Sequence, residues 1–175
     1  MSPLTTWTIG HSTHSIPEFA DLLARNGVTQ VVDVRTVARS RHNPQFNEDT
    51  LPDALVPHGI DYRRIAALGG LRHTTKASVN TGWHNASFRG YADYMQTPEF
   101  IAGLVELHTF ATARPTAIMC AEAVPWRCHR SLIGDALLIR GVHVVDIIGP
   151  ASVRDETITP FAHVDGLTIT YPPET

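Results

Sequence analysis

The sequence predicts an α/β fold in which helices cover both faces of a mainly parallel sheet of about five strands. Two observations predict it. Short apolar runs of strand length alternate with longer segments whose apolar residues recur at helical spacing. The first two runs are joined by a helical segment, as a right-handed crossover between parallel strands requires.

The chain opens with a strand, a helix and a second strand. The first strand occupies residues 7–9. Ser15 then begins a helix, because Glu18 follows three residues later and completes a capping box. Gly27 ends that helix, and the apolar residues within 28–34 form the second strand.

The middle of the chain is less regular. A polar loop spans residues 36–47, and a short helix is expected near residues 51–58, although two prolines interrupt it. A third strand follows at residues 60–65. Residues 66–87 show little pattern, and so long a connection inside a compact domain is more often functional or mobile than not.

Helices are evident again in the second half. One is expected at residues 89–95, and Thr97 begins another, because Pro and Glu follow it and apolar residues then recur at helical spacing. A buried strand follows at residues 117–119. A last helix is expected from Pro125 to Arg140, since proline suits a first helical turn.

The final segment adds a strand at residues 142–148 and a tail. The tail, residues 150–175, is expected to pack as an edge strand or an arm, with its strand at residues 167–171. Two prolines follow that strand, which favours an edge position. We expect one domain spanning residues 1–175.

Length and composition suit one globular domain with a sizeable core. The 175 residues are 43% hydrophobic and 18% charged, and the net charge of −3 offers no overall basic field for duplex DNA. No apolar run approaches the roughly 18 residues of a membrane span, and no signal peptide is recognisable. We therefore expect a cytoplasmic protein whose two cysteines are separate, reduced thiols.

Reactive side chains concentrate in residues 116–131. This stretch holds both cysteines, a carboxylate, an imidazole and two guanidinium groups: Cys120, Cys128, Glu122, His129, Arg127 and Arg130. The basic groups crowd a predicted helix N-terminus, where the helix dipole is already positive. Such an arrangement is favourable when an anion sits there, so the sequence predicts an anion-binding strand-to-helix turn.

Polar residues also follow three separate strands. They are His11 and Ser12, Asp33 and Arg35, and Cys120 with Glu122. Ligands of parallel α/β sheets gather beyond the carboxyl ends of the strands, so we expect these residues at one edge. For Asp33 and Arg35 a structural ion pair is as well supported as a substrate clamp. His11 and Ser12 either present donors to a ligand or satisfy the turn.

Further basic and aromatic residues flank the irregular segment. Arg72, Arg89 and Tyr91 either close over a ligand or anchor the loop. The loop around Arg39 and Arg41 is either solvated or a lid that touches phosphate.

Several of these motifs together resemble one known family. The motifs are Thr8-Ile9-Gly10-His11-Ser12, Asp33-Val34-Arg35, Leu68-Gly69-Gly70, Phe88-Arg89-Gly90-Tyr91, Cys120-Ala121-Glu122 and Cys128-His129-Arg130. From residue 7 to residue 149 the chain resembles the domain of unknown function 488 family. The resemblance implies a Rossmann-like three-layer α/β sandwich and a shared site, but no substrate.

The leading functional hypothesis is an enzyme whose cleft binds an anionic small molecule, nucleotide-like or otherwise phosphorylated. Cys120 is the candidate nucleophile, because arginines and a helix N-terminus would lower the pKa of its thiol. Glu122 or His129 would transfer the proton. The expected anion clamp comprises Arg35, Arg127 and Arg130.

Three other interpretations remain open. One is a non-catalytic module that binds nucleotides or single-stranded nucleic acid through the same arginines, although the net charge does not favour nucleic acid. Another is a metal-dependent enzyme with ligands among Cys120, Glu122, Cys128, His129 and His11. The third treats Cys120 as a small buried hydrophobe. No other cofactor is implied.

Overall fold

A six-stranded sheet forms the centre of the computed structural model, which describes residues 3–174. Its strands are β1 Thr5–Gly10, β2 Gln30–Asp33, β3 Asp61–Arg64, β4 Thr116–Cys120, β5 His143–Gly149 and β6 Ser152–Asp155. They lie in the order β3-β2-β4-β1-β5-β6, and all neighbours are parallel except β5 and β6. The predicted fold class is therefore confirmed as a Rossmann-like α/β arrangement.

Helices cover both faces of the sheet. They are α1 Ile16–Arg25, α2 Leu51–Leu55, α3 Ala86–Tyr94, α4 Pro98–Ala113 and α5 Arg130–Leu138. One core packs α1 and α2 against Val31 and its face of the sheet, and the other packs α3, α4 and α5 against Val32 and the opposite face. Adjacent strand residues enter different cores because side chains alternate along a strand. None of these helices, within residues 3–174, is long and apolar enough to cross a membrane.

The predicted start of α1 is confirmed by its capping box. The Ser15 hydroxyl accepts from the Glu18 backbone N–H at 3.2 Å, and the Glu18 carboxylate accepts from the Ser15 N–H at 3.4 Å. These bonds satisfy two of the N–H groups that a helix start leaves without partners.

The predicted start of the last helix, at Pro125, is wrong. A 3-10 turn covers Pro125–Arg127, Cys128 is extended with φ −139° and ψ 145°, and α5 starts only at Arg130. The extended residue breaks the helix because it must carry its side chain back toward Cys120, with which it pairs. Pro125 indicates a helical turn, and this turn is present as the short 3-10 turn.

The tail contains an edge strand of the main sheet, but not the strand that was predicted. Strand β6 was not predicted, since all four of its residues are exposed and show no apolar alternation. The tail strand does form, as β8 Thr168–Thr170, but it pairs with β7 His163–Asp165 in a separate two-stranded sheet instead of at an edge of the main one. Gly166, with φ +62°, makes the turn between them.

Candidate functional site

The ends of β1, β2 and β4 meet at one edge of the sheet, as the sequence predicted. The parallel register places Gly10 opposite Cys120. Beyond the strands, the His11 N–H donates to the Cys120 carbonyl at 2.9 Å, and the Val34 N–H donates to the Met119 carbonyl at 3.0 Å. Three distant segments are thus fixed to one another by backbone hydrogen bonds.

A cleft of about 420 Å³ lies at this edge. One wall carries the two sulfur atoms, with Glu122, Arg127 and His129 beside them. Arg39 lies on the same cleft, and Arg127 and Glu122 are exposed to solvent. The cleft therefore combines sulfur, carboxylate, imidazole and free guanidinium groups.

The lining of the cleft is partly apolar. Val37 and Leu71 line it and are 58% and 71% exposed, and the half-buried Phe88 lines it as well. Asn85 and Ser87, at the start of α3, also border the cleft. The sequence did not indicate these residues, because they come from segments without regular pattern or reactive chemistry.

The sulfur atoms of the two cysteines lie in contact with each other, which corrects the expectation of separate thiols. Their Cα atoms lie 7.3 Å apart, and only eight positions separate them in the chain. The side chains are 3% and 5% exposed, at Cys120 and Cys128 respectively, and both border the cleft. The break before α5 is what allows the sulfurs to meet.

Arg130 lies behind the sulfur atoms and is fully buried. Its Nη1 donates to the Cys120 Sγ and to the Glu122 carbonyl, both at 2.6 Å, and a further Nη2–H reaches the Ala123 carbonyl at 3.3 Å. Burial lowers the pKa of this guanidinium to about 10, so it stays charged near neutral pH. Arg130 therefore holds the cleft loop and one sulfur, and it does not line the cleft.

Arg130 has no carboxylate partner within 4.0 Å in the described part of the chain. Its Nε instead donates to the Thr8 hydroxyl at 3.3 Å. That hydroxyl donates to Asp146 at 2.6 Å, and Arg154 donates to the same buried carboxylate at 2.8 Å. The sequence carries one signal of this support, the charged Asp146 within the apolar run of strand β5.

Asp33 and Arg35 form a structural ion pair. Arg35 donates from Nε and Nη2 to the two carboxylate oxygens at 2.9 and 2.7 Å, and also to the Phe46 carbonyl at 2.7 Å. Both side chains are buried, although Arg35 borders the cleft. These bonds occupy Nε and Nη2, so little of this guanidinium is left to clamp a ligand.

His11 and Ser12 satisfy the turn after β1. The His11 Nδ1 lies 2.9 Å from the Ser12 carbonyl, and its ring stacks on Phe46 with centroids 4.4 Å apart. Burial is the main cause that lowers the pKa of His11, and the nearby Arg35 charge adds to it. Ser12 adopts φ +45°, and its N–H donates to the Ala121 carbonyl at 3.0 Å.

The loop-flanking residues make contacts that anchor the irregular segment. Arg72 lies 3.7 Å from the centroid of the Tyr94 ring and donates to the Gly69 carbonyl at 3.2 Å. Arg89 donates to the Trp83 carbonyl at 3.1 Å from Nη2. The Tyr91 hydroxyl donates to the Leu68 carbonyl at 3.0 Å. Of the two interpretations of these three residues, the geometry favours loop anchoring.

His129 carries a neutral imidazole near neutral pH. Its Nε2 lies 2.7 Å from the Val34 carbonyl, which only accepts, so Nε2 carries the proton and Nδ1 is free to accept. Nδ1 lies 3.6 Å from the Cys128 Sγ. Burial, assisted by the Arg130 charge, lowers the pKa of His129 to about 4. The imidazole is therefore neutral near pH 7, and its Nδ1 can accept a hydrogen bond from a Cys128 thiol.

This lowered pKa predicts an acid-sensitive fold. The unfolded chain protonates His129 below its ordinary pKa of 6.5, but the folded chain does so only near 4, so folding loses stability as the pH falls through this window. The loss is at most about 3 kcal/mol. Urea unfolding at several pH values should show a shallower acid dependence in His129→Gln than in the wild type. The exposed His108→Gln serves as a control and should keep the wild-type slope; equal slopes in all three proteins would contradict the assignment.

The metal alternative gains no support from the geometry. Across residues 3–174, no three His, Cys, Asp or Glu side chains converge in a way that could hold a metal ion. Of the five proposed ligands, Cys120 and Cys128 have their sulfur atoms in contact with each other, and the His11 ring is stacked and hydrogen-bonded within the turn.

Comparison with known proteins adds one finding. Neither the curated proteins nor the solved structures give a match. A family model described as "Domain of unknown function DUF488" matches residues 15–137, which include the end of β2, the irregular segment and the cysteine-bearing loop. Because the match covers well over half of the chain, the protein belongs to the DUF488 family.

Proposed function

We propose that this chain is an enzyme that binds an anionic small molecule in the strand-end cleft and attacks it with a cysteine thiolate. The observation that carries the proposal is the contact between the fully buried Arg130 guanidinium and the Cys120 sulfur at 2.6 Å. A cation so close to a sulfur favours the thiolate over the thiol, and the thiolate is the nucleophile. This function requires the reduced form of the cysteine pair.

The side chains of the cleft support an anionic ligand. Arg127 is exposed on the cleft wall and makes no ion pair among the described residues, and Arg39 has only a solvated contact with Asp49 at 3.9 Å. Guanidinium groups bind phosphate and carboxylate oxygens in pairs of hydrogen bonds. The apolar side chains of Val37 and Leu71 in the same cleft suit a planar base, so we propose a nucleotide or a similar phosphorylated compound.

The roles of His129 and Glu122 follow from their placement. His129 Nδ1 faces the Cys128 sulfur and can accept a hydrogen bond from the Cys128 thiol, which orients that thiol. Glu122 is exposed on the same wall and is the group able to exchange a proton between a bound ligand and solvent. Arg130 stabilises Cys120 from behind and is a positioning residue in this scheme.

Alkylation of the reduced protein tests the proposal. We expect iodoacetamide to modify Cys120 near neutral pH about tenfold faster than an ordinary thiol, since each unit of lowered pKa gives about that factor. Adenosine monophosphate should protect Cys120, and Arg127→Gln should remove most of this protection. Arg25→Gln is the control, because Arg25 is exposed on α1 and pairs with Asp21 away from the cleft.

Peptide mapping by mass spectrometry decides the outcome. A Cys120 that stays unreactive after reduction would contradict the nucleophile assignment. Protection of Cys120 by the nucleotide in a protein that turns over no phosphorylated compound would instead support a binding module without catalysis.

A further inference from the structure

We infer that Cys120 and Cys128 form a reversible dithiol–disulfide couple that exchanges with an anionic low-molecular-weight thiol bound in the cleft. The disulfide is the closed state, and the dithiol exposes the nucleophile. The statement that reduction exposes a nucleophile rests on the proposed function, but the thiol–disulfide exchange itself does not.

Both sulfurs border the same cleft, yet neither is open to a large partner. The cleft of about 420 Å³ reaches both, while the side chains of Cys120 and Cys128 are only 3% and 5% exposed. Thiol–disulfide exchange requires an attacking sulfur to approach one of the bonded sulfurs in line. A protein surface is too broad to do so here, whereas a small thiol fits the cleft.

The surroundings of both sulfurs stabilise the reduced state. Arg130 serves both, because its Nη1 donates to the Cys120 Sγ at 2.6 Å and its backbone N–H donates to the Cys128 Sγ at 3.5 Å. The second donor is the first amide of α5, where the helix dipole favours negative charge. A disulfide whose thiolates are stabilised in this way is reduced more readily.

Arg130 supplies a further argument for the open state. It is a fully buried cation that forms no ion pair in the described part of the chain. A buried charge is costly unless an opposite charge lies beside it. Reduction of the disulfide creates that charge, because the Cys120 thiolate then lies against the guanidinium. In the closed state the carboxylates that act on Arg130, those of Asp146, Glu156 and Glu122, lie beyond ion-pair distance.

The charge of the cleft selects the small thiol. The cleft is lined by the exposed Arg127 and Arg39 and by one exposed carboxylate, Glu122, so a thiol of net negative charge is attracted to the sulfurs and one of net positive charge is repelled. The chemical class that fits is therefore a low-molecular-weight thiol of net negative charge, such as glutathione.

The exchange balances as two displacements. The Cys120 thiolate attacks the external disulfide, forms a mixed disulfide and releases one external thiolate. Cys128 gives its proton to that thiolate and attacks the Cys120 sulfur, which releases the second external thiolate; this one takes a proton from water. Counted from the dithiol, whose Cys120 proton has already passed to water, the protein pair loses two electrons and two protons, and the external disulfide becomes two thiols. Reduction is the reverse.

The test uses the full chain in glutathione buffers of varied ratio, with the free thiols trapped and counted by mass spectrometry. We expect the wild type to pass between the dithiol and the disulfide without a lasting adduct, because Cys128 resolves the mixed disulfide. Cys128→Ser should instead accumulate glutathione on Cys120. Exchange with cysteamine, normalised to a free cysteine peptide, should be about tenfold slower than with glutathione, as expected for opposite charges in a charged cleft.

Three results would overturn the inference: a disulfide that excess glutathione does not open in the folded protein, a Cys128→Ser variant without adduct, or equal normalised rates for the two thiols. Arg39→Gln with Arg127→Gln should remove the preference for glutathione, and Arg25→Gln should retain it. The redox test involves no phosphorylated ligand. Exchange without nucleotide protection therefore refutes only the proposed function, and protection without exchange refutes only the couple.

Discussion

Replacement of Gly10 by alanine is expected to destabilise the protein by about 3 kcal/mol or more, at the upper end of overpacking costs. A Cβ at Gly10 would overlap the carbonyl of Glu122, which is backbone and cannot rotate away. That carbonyl also accepts the Arg130 hydrogen bond at 2.6 Å. The added methyl group therefore has to displace the whole cysteine-bearing loop, and reduced Cys120 should lose its contact with Arg130.

Urea unfolding of Gly10→Ala, beside a matched glycine, measures this effect. Gly149→Ala is the control, because Gly149 also ends a parallel strand but a Cβ there meets no atom within 4 Å. Its free energy of unfolding should change by no more than about 0.5 kcal/mol. Similar losses in both variants would show that the close approach of the loop to β1 has no special energetic role.

Removal of the Arg130 charge is expected to slow Cys120 alkylation near neutral pH by about tenfold or more, the factor that one unit of pKa gives. The measurement uses Arg130→Met in the Cys128→Ser background, so that only one thiol reacts. The reason is that the guanidinium 2.6 Å from the sulfur no longer favours the thiolate. Well above the ordinary thiol pKa, both proteins carry the thiolate, and their rates should converge.

The pH profile separates this effect from a general loss of structure. Arg140→Met is the matched control. Arg140 lies just beyond α5 and donates to the Ala136 carbonyl at 2.8 Å, and its hydrogen bond involves no sulfur atom. It should keep the profile of its parent. Arg130→Lys should recover part of the rate near neutral pH, because it restores a positive charge. A profile that is the same in Arg130→Met and its parent would show that Arg130 does not act on the thiol.

The regular elements were predictable where the signal is local. The capping box of Ser15 and Glu18 lies within one turn, so adjacent residues specify it. Strands β2 and β4 were found because they are buried on both faces and read as apolar runs, as with Val31 and Val32. Strand β6 was missed for the same reason, since its exposed residues carry no such run.

The position of the site was predictable, but its internal arrangement was not. Strand ends of a parallel sheet meet at one edge whatever the side chains, so His11, Arg35 and Cys120 had to be neighbours. The sequence equally allowed each arginine to be a ligand clamp. The burial of each arginine distinguishes their roles. Arg35 is held by Asp33 and Arg130 lies behind the sulfur, so only Arg127 of the predicted clamp remains exposed.

The sequence by itself determined the fold class, the edge at which chemistry gathers and the side chains available there, because periodicity and strand polarity are local properties of the chain. Only the tertiary structure decided that Cys128 turns back to Cys120 and that Arg130 is buried against their sulfurs. These outcomes depend on contacts between segments far apart in the chain, such as the bond from Arg130 to Thr8, and no local pattern encodes them.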